Sequence, residues 1–290
     1  MRKTTLALAL GGAAALAPLA FSQHPSPAEK PAVPAAARPA APPLPGPAVI
    51  HPDEKHLRNL RQLTFGGQNA EGYWSADGKS IVYQRMNEAE GVMCDQQYVV
   101  DVASGKSRMV SSGKGRVTCG YFYDGDRRVL YASTHLADPA CPPPVDHSKG
   151  YAWPMTAGYD IVSHALDGSG FKRLTDTPGY DAEATLSPDG KTIVFFFNDT
   201  ATTEIYTMAT DGTGVKRLTH EPGYDGGPFF SHDGKRIVFR RDAHPDEASL
   251  GRYKELLAQH LYRPGALEVW VMNADGSGKR QVTTLGAASF

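Results

Sequence analysis

Short apolar runs recur along the chain: Ile81-Val82-Tyr83, Val129-Leu130-Tyr131, Ile193 to Phe197 and Ile237-Val238-Phe239. None alternates with polar residues, which is the pattern of strands covered on both faces. A tight turn precedes each run: Ser75 to Lys79 (SADGK), Ser187 to Lys191 (SPDGK), Ser231 to Lys235 (SHDGK) and the divergent Tyr123 to Arg127 (YDGDR). In the Ser-Pro-Asp-Gly version proline presets the backbone, Asp caps the turn and Gly takes the left-handed conformation that closes a hairpin. Third strands are predicted at Asp160 to Leu166, Glu204 to Ala209 and Leu267 to Ala274, each ending in Asp-Gly. Beyond them lie KRLT-like tetrapeptides at Lys172 to Thr175, Lys216 to Thr219 and Arg280 to Thr283, with a degenerate copy at Ser107 to Val110 and an early one at Arg61 to Thr64. Asp189 and Asp233 set a period of 44 residues. Four short antiparallel strands repeated at that spacing describe an all-β chain, a β-propeller built of four-stranded blades.

Two connections between second and third strands break the short pattern, Thr134 to Ala157 and Asp242 to Ala266. Both should emerge on the same rim, where insertions on a rigid scaffold commonly carry recognition. Pro245, early acids, the spacing of Tyr253, Leu256 and Leu257, and Pro264-Gly265 predict a helix from Asp246 to His260.

The N-terminus departs from the strand pattern altogether. Arg2 and Lys3 precede an apolar stretch from Leu6 to Ala20, and Ala20-Phe21-Ser22 supplies small residues for cleavage, so residues 1–22 are expected to be a signal peptide. The run is shorter than the ~20 apolar residues that span a bilayer, and no membrane insertion is expected after cleavage. Residues 23–56 are rich in Pro and Ala and read as a semi-rigid linker; residues 57–290 carry the repeats. A net charge of -1 and a pI near 6.8 give no electrostatic case for nucleic acid. The decapeptide NDTATTEIYT, Asn198 to Thr207, matches a translated sequencing-adaptor string, so no function is assigned to that loop, although Glu204-Ile205-Tyr206 fits the repeat.

On LSPDGKTIVFF, EIYTMATDGTGVKRLT and EVWVMNADGSGKRQVT, together with the weaker first and second units, the stretch from Leu57 to Phe290 resembles the TolB-like family of WD40-like propeller repeats. The resemblance implies a periplasmic or secreted protein that serves as a binding platform in the cell envelope, with an envelope protein or peptide as partner, no catalysis and no cofactor. TolB has an α/β domain before its propeller where this chain has its linker, so that domain's role is not carried over. Relatives are six-bladed, whereas this chain offers four blades and an orphan strand at Arg61 to Thr64, with Thr284 to Phe290 resembling the start of another first strand. We therefore expect a propeller fragment. The alternative is the propeller part of a prolyl oligopeptidase-like serine peptidase, or a lyase. No Gly-x-Ser-x-Gly elbow occurs in the chain, and its ten histidines show no HExxH-like metal spacing.

Three cysteines in an exported chain allow one disulfide. Cys94 precedes the first unit's third strand and Cys141 lies in the second unit's insertion, so a Cys94 to Cys141 bridge is expected, with Cys119 left as a strand thiol. A Cys119 to Cys141 bridge and three reduced thiols are the competing readings. Aligning first strands on their turns puts Glu71, Cys119, Glu183 and Gly227 in register, with Asp181 and Asp225 two positions earlier. First strands are innermost in a propeller, so Glu71, Asp181, Glu183 and Asp225 could converge on one mouth of a channel and bind a cation or a basic partner segment. The competing reading makes them caps and backbone acceptors at blade junctions.

Overall fold

In the computed structural model residues 52–144, 148, 150–198, 202–244 and 246–288 are described. The expected signal peptide and the linker up to His51 lie outside them, as do residues 199–201 of the adaptor-like loop. The first sheet comprises β1 (Gln68–Trp74), β2 (Ser80–Asn87), β3 (Val92–Asp101) and β4 (Ser107–Met109). The second has β5 (Val117–Tyr123) and β6 (Arg128–Ser133), then a short β7 (Trp153–Pro154) inside the insertion, then β8 (Asp160–Ala165) and β9 (Lys172–Arg173). The third runs through β10 (Tyr180–Leu186), β11 (Thr192–Asn198), β12 (Thr203–Ala209) and β13 (Lys216–Arg217). The fourth has β14 (Tyr224–Phe230), β15 (Arg236–Asp242), the helix α1 (Glu247–Leu257), β16 (Leu261–Tyr262), β17 (Glu268–Asn273) and β18 (Arg280–Gln281). Leaving aside β7 and β16, each sheet is antiparallel and its strands lie in chain order.

Interleaved packing explains the unbroken apolar runs. Val129 and Tyr131 of β6 face Val82 and Val99 of the first sheet, while Leu130 between them packs on Ile193 and Phe195 of the third. Val194, between those two, meets Ile237 and Phe239 of the fourth. Each second strand thus fills two inter-sheet layers, each fully buried side chain contributing about 1.5–3 kcal/mol. Single parallel bridges, Tyr159 to Tyr180 and Thr203 to Tyr224, tie the second sheet to the third and the third to the fourth.

The tetrapeptides act as clasps. Thr175, Thr219 and Thr283 accept the N–H of Ile161, Ile205 and Val269 through their hydroxyls at 2.9, 2.9 and 2.8 Å; in the degenerate copy the equivalent residue is Ser111, one position beyond the expected Ser107 to Val110, and it accepts the N–H of Gln97 at 2.9 Å. The hydroxyls of Thr219, Thr283 and Ser111 donate onward to Glu204, Glu268 and Gln96. This closes the short fourth strand onto the third where only two or three ladder residues pair.

Two expectations at the chain's repeats are corrected. Arg61 to Thr64 contributes a bridge residue at Arg61 and no strand, because among the described residues no third strand lies beside it to complete a ladder. Gln62 still donates to the Thr64 carbonyl at 2.8 Å, as Gln281 does to Thr283 at 2.7 Å, so the local conformation persists without the pairing. Residues 284–288 likewise form no strand; the Gly286 N–H donates to Glu268 Oε1 at 2.7 Å and turns the chain aside.

The two insertions meet. β7 and β16 pair antiparallel, Trp153 opposite Tyr262, and the Met155 N–H donates to the His260 carbonyl at 2.7 Å. The helix begins as expected, Asp246 capping the Ser249 N–H at 2.7 Å, and it stops at Leu257 because His260 turns into the left-handed region to enter β16. Tyr253 and Leu257 are buried beneath it with Phe196 and Tyr224. Cys94 and Cys141 are joined by a disulfide with Cα atoms 5.8 Å apart, fastening the second sheet's insertion to β3.

Candidate functional site

Every first strand breaks register at the same place: between Ala70 and Tyr73, Thr118 and Tyr121, Ala182 and Thr185, and Gly226 and Phe229. At each break one residue takes a left-handed backbone, Glu71 (φ 51°), Cys119 (φ 49°), Glu183 (φ 54°) and Gly227 (φ 61°). A bulge re-aims the side chain it carries. For the three non-glycine residues the conformation costs on the order of 1–3 kcal/mol each, so the surrounding sheets must impose it. All four line one cavity of about 1170 Å³ between the sheets. The first strands meet beside it, Tyr73 lying 5.5 Å from Tyr121 and 5.9 Å from Phe229 between ring centroids. Trp153, Met155 and Pro264 of the paired insertions form part of its wall.

Glu183 accepts from the Gly227 N–H at 2.5 Å and from Arg240 Nη2 at 3.2 Å. The Tyr73 hydroxyl donates to Glu71 at 2.5 Å. Burial raises the Glu71 carboxyl above the usual range; Tyr73 and Arg240 oppose this, and the Glu183 charge adds to it. The Cys119 thiol is pushed well up by burial, reinforced by Glu71 and Glu183, and so stays protonated. Arg240 lies 5.6 Å from the Trp153 ring centroid, a cation–π contact. A basic group does face the acids, and it comes from this chain's own second strand. No Cβ stands in its way at Gly227: one placed there would lie 2.6 Å from Arg240 Nε.

Asp181 and Asp225 lie apart from the cavity lining, at the sheet junctions. Residues two apart on a regular strand share a face. Here the bulge at Glu183 turns it off the face of Asp181, and Asp225 is separated from the fourth position in the same way. Asp181 is fully buried, accepts from the Thr177 hydroxyl at 3.0 Å, and leaves Oδ1 without a hydrogen-bond partner. Burial pushes its carboxyl up to about 7. Asp225, also fully buried, binds Arg241 Nη1 through both oxygens at 2.7 and 2.8 Å.

The Asp181 environment yields a pH prediction. A folded-state pKa raised from 3.8 to about 7 means that the folded chain binds the proton more tightly. The associated stability is fully present below 3.8 and lost as pH climbs through about 7. Asp181→Asn removes the titration, so its stability relative to the parent should rise by on the order of 4 kcal/mol between pH 4 and pH 8. Urea unfolding at both pH values measures this; a difference that stays constant contradicts it.

Sequence reasoning singles out Tyr151 and Trp153 as possible contact residues, and both line the cavity; it passed over Arg240, Asp95, Arg116 and the wall tyrosines Tyr73, Tyr159, Tyr180 and Tyr224. Tyr180 and Tyr224 carried a signal, since both sit in repeated Gly-Tyr-Asp triplets beside the acids. Arg240 carried none, because its neighbour Arg241 is chemically identical and points elsewhere.

No family model and no curated protein matches the chain. Among solved structures it is similar to the crystal structure of TolB from Acinetobacter baumannii, with TM-score 0.54, 19% identity, and coverage of 77% of this chain and 45% of that one. It is also similar to a chain of a nidogen/laminin complex (TM-score 0.50, 12% identity, 74% and 64% coverage). An oligogalacturonate lyase in complex with manganese matches at TM-score 0.49 and 15% identity, covering 77% of this chain and 55% of that one. At these identities the likeness concerns the fold alone: an all-β arrangement of TolB-like propeller sheets. The chain spans less than half the length of the Acinetobacter protein.

Proposed function

We propose that this chain is an exported, TolB-like β-propeller that serves as a non-catalytic binding platform in the cell envelope and takes its ligand in the central cavity. On this reading the four sheets are consecutive blades, the leader exports the chain to the periplasm or beyond, and the Pro/Ala linker holds the platform away from its N-terminus. The observation that carries the proposal is the repeated bulge. Three non-glycine residues, one from each of three sheets, are held in a costly conformation at one register, and all open on the same cavity. Strain repeated at one place in a fold points to a selected site. The enzyme alternative gains no comparable support. Ser133 Oγ and His135 Nδ1 are 2.7 Å apart, but they are local neighbours where β6 ends and line no part of the cavity.

Filling the cavity tests the proposal. Thr118→Trp places a large side chain at the lining beside Cys119. We expect the parent to retain a specific component from envelope extract, whether envelope protein, peptide or smaller ligand, and the variant to lose it while keeping its melting temperature. Equal retention by both would remove the cavity from the function.

A further inference from the structure

The cavity wall contains hydrogen-bonding groups that the protein does not use. Tyr159 and Tyr224 are 4% and 1% exposed, Tyr180 is part-buried, and all three line the cavity. Among the described residues no hydrogen bond reaches any of their hydroxyls, whereas the Tyr73, Tyr131, Tyr253 and Tyr262 hydroxyls are all engaged. Arg116 Nε, on the same wall, is buried without a hydrogen bond, 3.9 Å from Asp95 Oδ2. A buried polar group left without a partner is costly unless water or a ligand supplies one.

These groups form a row. Tyr159 and Tyr180 stand edge to face at 5.0 Å; Phe196 follows at 5.7 Å from Tyr180 and Tyr224 at 5.4 Å from Phe196. Asp95 and Arg116 lie at the Tyr159 end, and Glu183 and Arg240 at the Tyr224 end. The rings of this row cover one another, Phe196 being 1% exposed and Tyr262 stacking on Tyr224 at 4.1 Å, so the wall shows the cavity the tyrosine hydroxyls and the part-buried ring of Tyr180, with an acid–arginine pair at each end. Its charges balance: Glu71, Asp95 and Glu183 stand against Arg116, Arg240 and Arg263. Nothing in that balance draws a strongly charged ligand. An extended peptide would need main-chain partners from the inner strand edges. At two of the four bulges the N–H is occupied, that of Gly227 by Glu183 at 2.5 Å and that of Cys119 by Gln84 Oε1 at 3.4 Å.

We infer that the cavity binds a neutral oligosaccharide, one sugar ring of which lies against the part-buried Tyr180 while its hydroxyls pair with the tyrosine hydroxyls and the two acid–arginine pairs. Sugar rings present both apolar C–H faces and a rim of hydroxyls, and this wall offers the complement of each. A site built to hydrogen-bond hydroxyls also discriminates strongly against ligands that lack them. The inference rests on the central cavity being the binding site, as proposed above.

Calorimetric titration of the full chain with cellohexaose, maltohexaose and tetra-N-acetylchitotetraose tests it, with pentalysine as a charged peptide control. We expect saturable binding of at least one oligosaccharide and none of pentalysine. Tyr180→Phe and Tyr224→Phe should each weaken binding by about 3- to 10-fold, the range for one neutral hydrogen bond. The melting temperature should not move, since neither hydroxyl has a protein partner to lose. Failure of all three sugars to bind folded protein, or sugar binding that both Tyr→Phe variants leave intact, overturns the inference. Pentalysine binding that Thr118→Trp abolishes also overturns it, but leaves the platform reading standing. Sugar binding untouched by Thr118→Trp removes both.

Discussion

Arg241→Met is expected to destabilise the fold by about 3–5 kcal/mol at pH 8, the loss typical of a buried ion pair stripped of one partner. Asp225 has no exposed surface, and Arg241 Nη1 satisfies both its oxygens while Nη2 donates to the Pro222 carbonyl at 3.2 Å. Burial pushes the Asp225 carboxyl up to about 7 even with Arg241 opposing it. Because the folded-state pKa lies above the ordinary aspartate value of 3.8, stability from this group is present at low pH and lost as pH rises through about 7. Without the guanidinium the folded pKa rises further, so the deficit should be largest at pH 8 and shrink toward pH 5, where the carboxyl takes its proton. Asp225→Asn in the same chain should recover much of the loss by removing the stranded charge. Urea unfolding of both variants at the two pH values decides it; a deficit under about 1 kcal/mol at pH 8 would show that the pair is not structurally coupled.

Removing the Cys94 to Cys141 bridge, as Cys94→Ser with Cys141→Ser, should cost about 4 kcal/mol on the chain-entropy estimate for a 47-residue separation. For a domain of this size that corresponds to roughly a 10 °C fall in melting temperature. The loss should act first on the insertion that carries β7, because the bridge is its covalent tie to the first sheet. Reductant added to the parent should reproduce the shift in the double variant's direction, and the variant itself should be indifferent to it. A parent unaffected by full reduction would show that β7–β16 pairing and the contacts around Trp153 hold the insertion unaided.

Much of the scaffold is readable in the chain because each repeat states its partners locally. The unbroken run at Ile193 to Phe197 announces two buried faces, and Ser187-Pro188-Asp189-Gly190 fixes the hairpin ahead of it, with Gly190 at φ 70°. The alignment that put Glu71, Cys119, Glu183 and Gly227 in one register was also accessible. Their orientation was not. The left-handed turn of Glu183 is imposed by packing, and no propensity of glutamate suggests it, so Asp181 and Glu183 looked like neighbours on one face. Arg240 and Arg241 illustrate the same limit, adjacent and identical in chemistry, one lining the cavity and the other paired with a buried aspartate. The pairing of β7 with β16 joins two-residue strands far apart in the chain, too short to show any periodicity.

The repeated bulge separates what the scaffold must keep from what it can change. Once neighbouring sheets dictate the backbone at Glu71, Cys119, Glu183 and Gly227, the side chains there become exchangeable slots, and the inventory across the four sheets already differs: two carboxyls, a thiol and a vacancy. The vacancy is used, since Arg240 reaches through the space where a Cβ at Gly227 would stand. Chains with the same sheets and another set of four residues would present a differently charged chamber without altering a single strand pairing, so ligand preference in such a framework can drift while its architecture stays fixed.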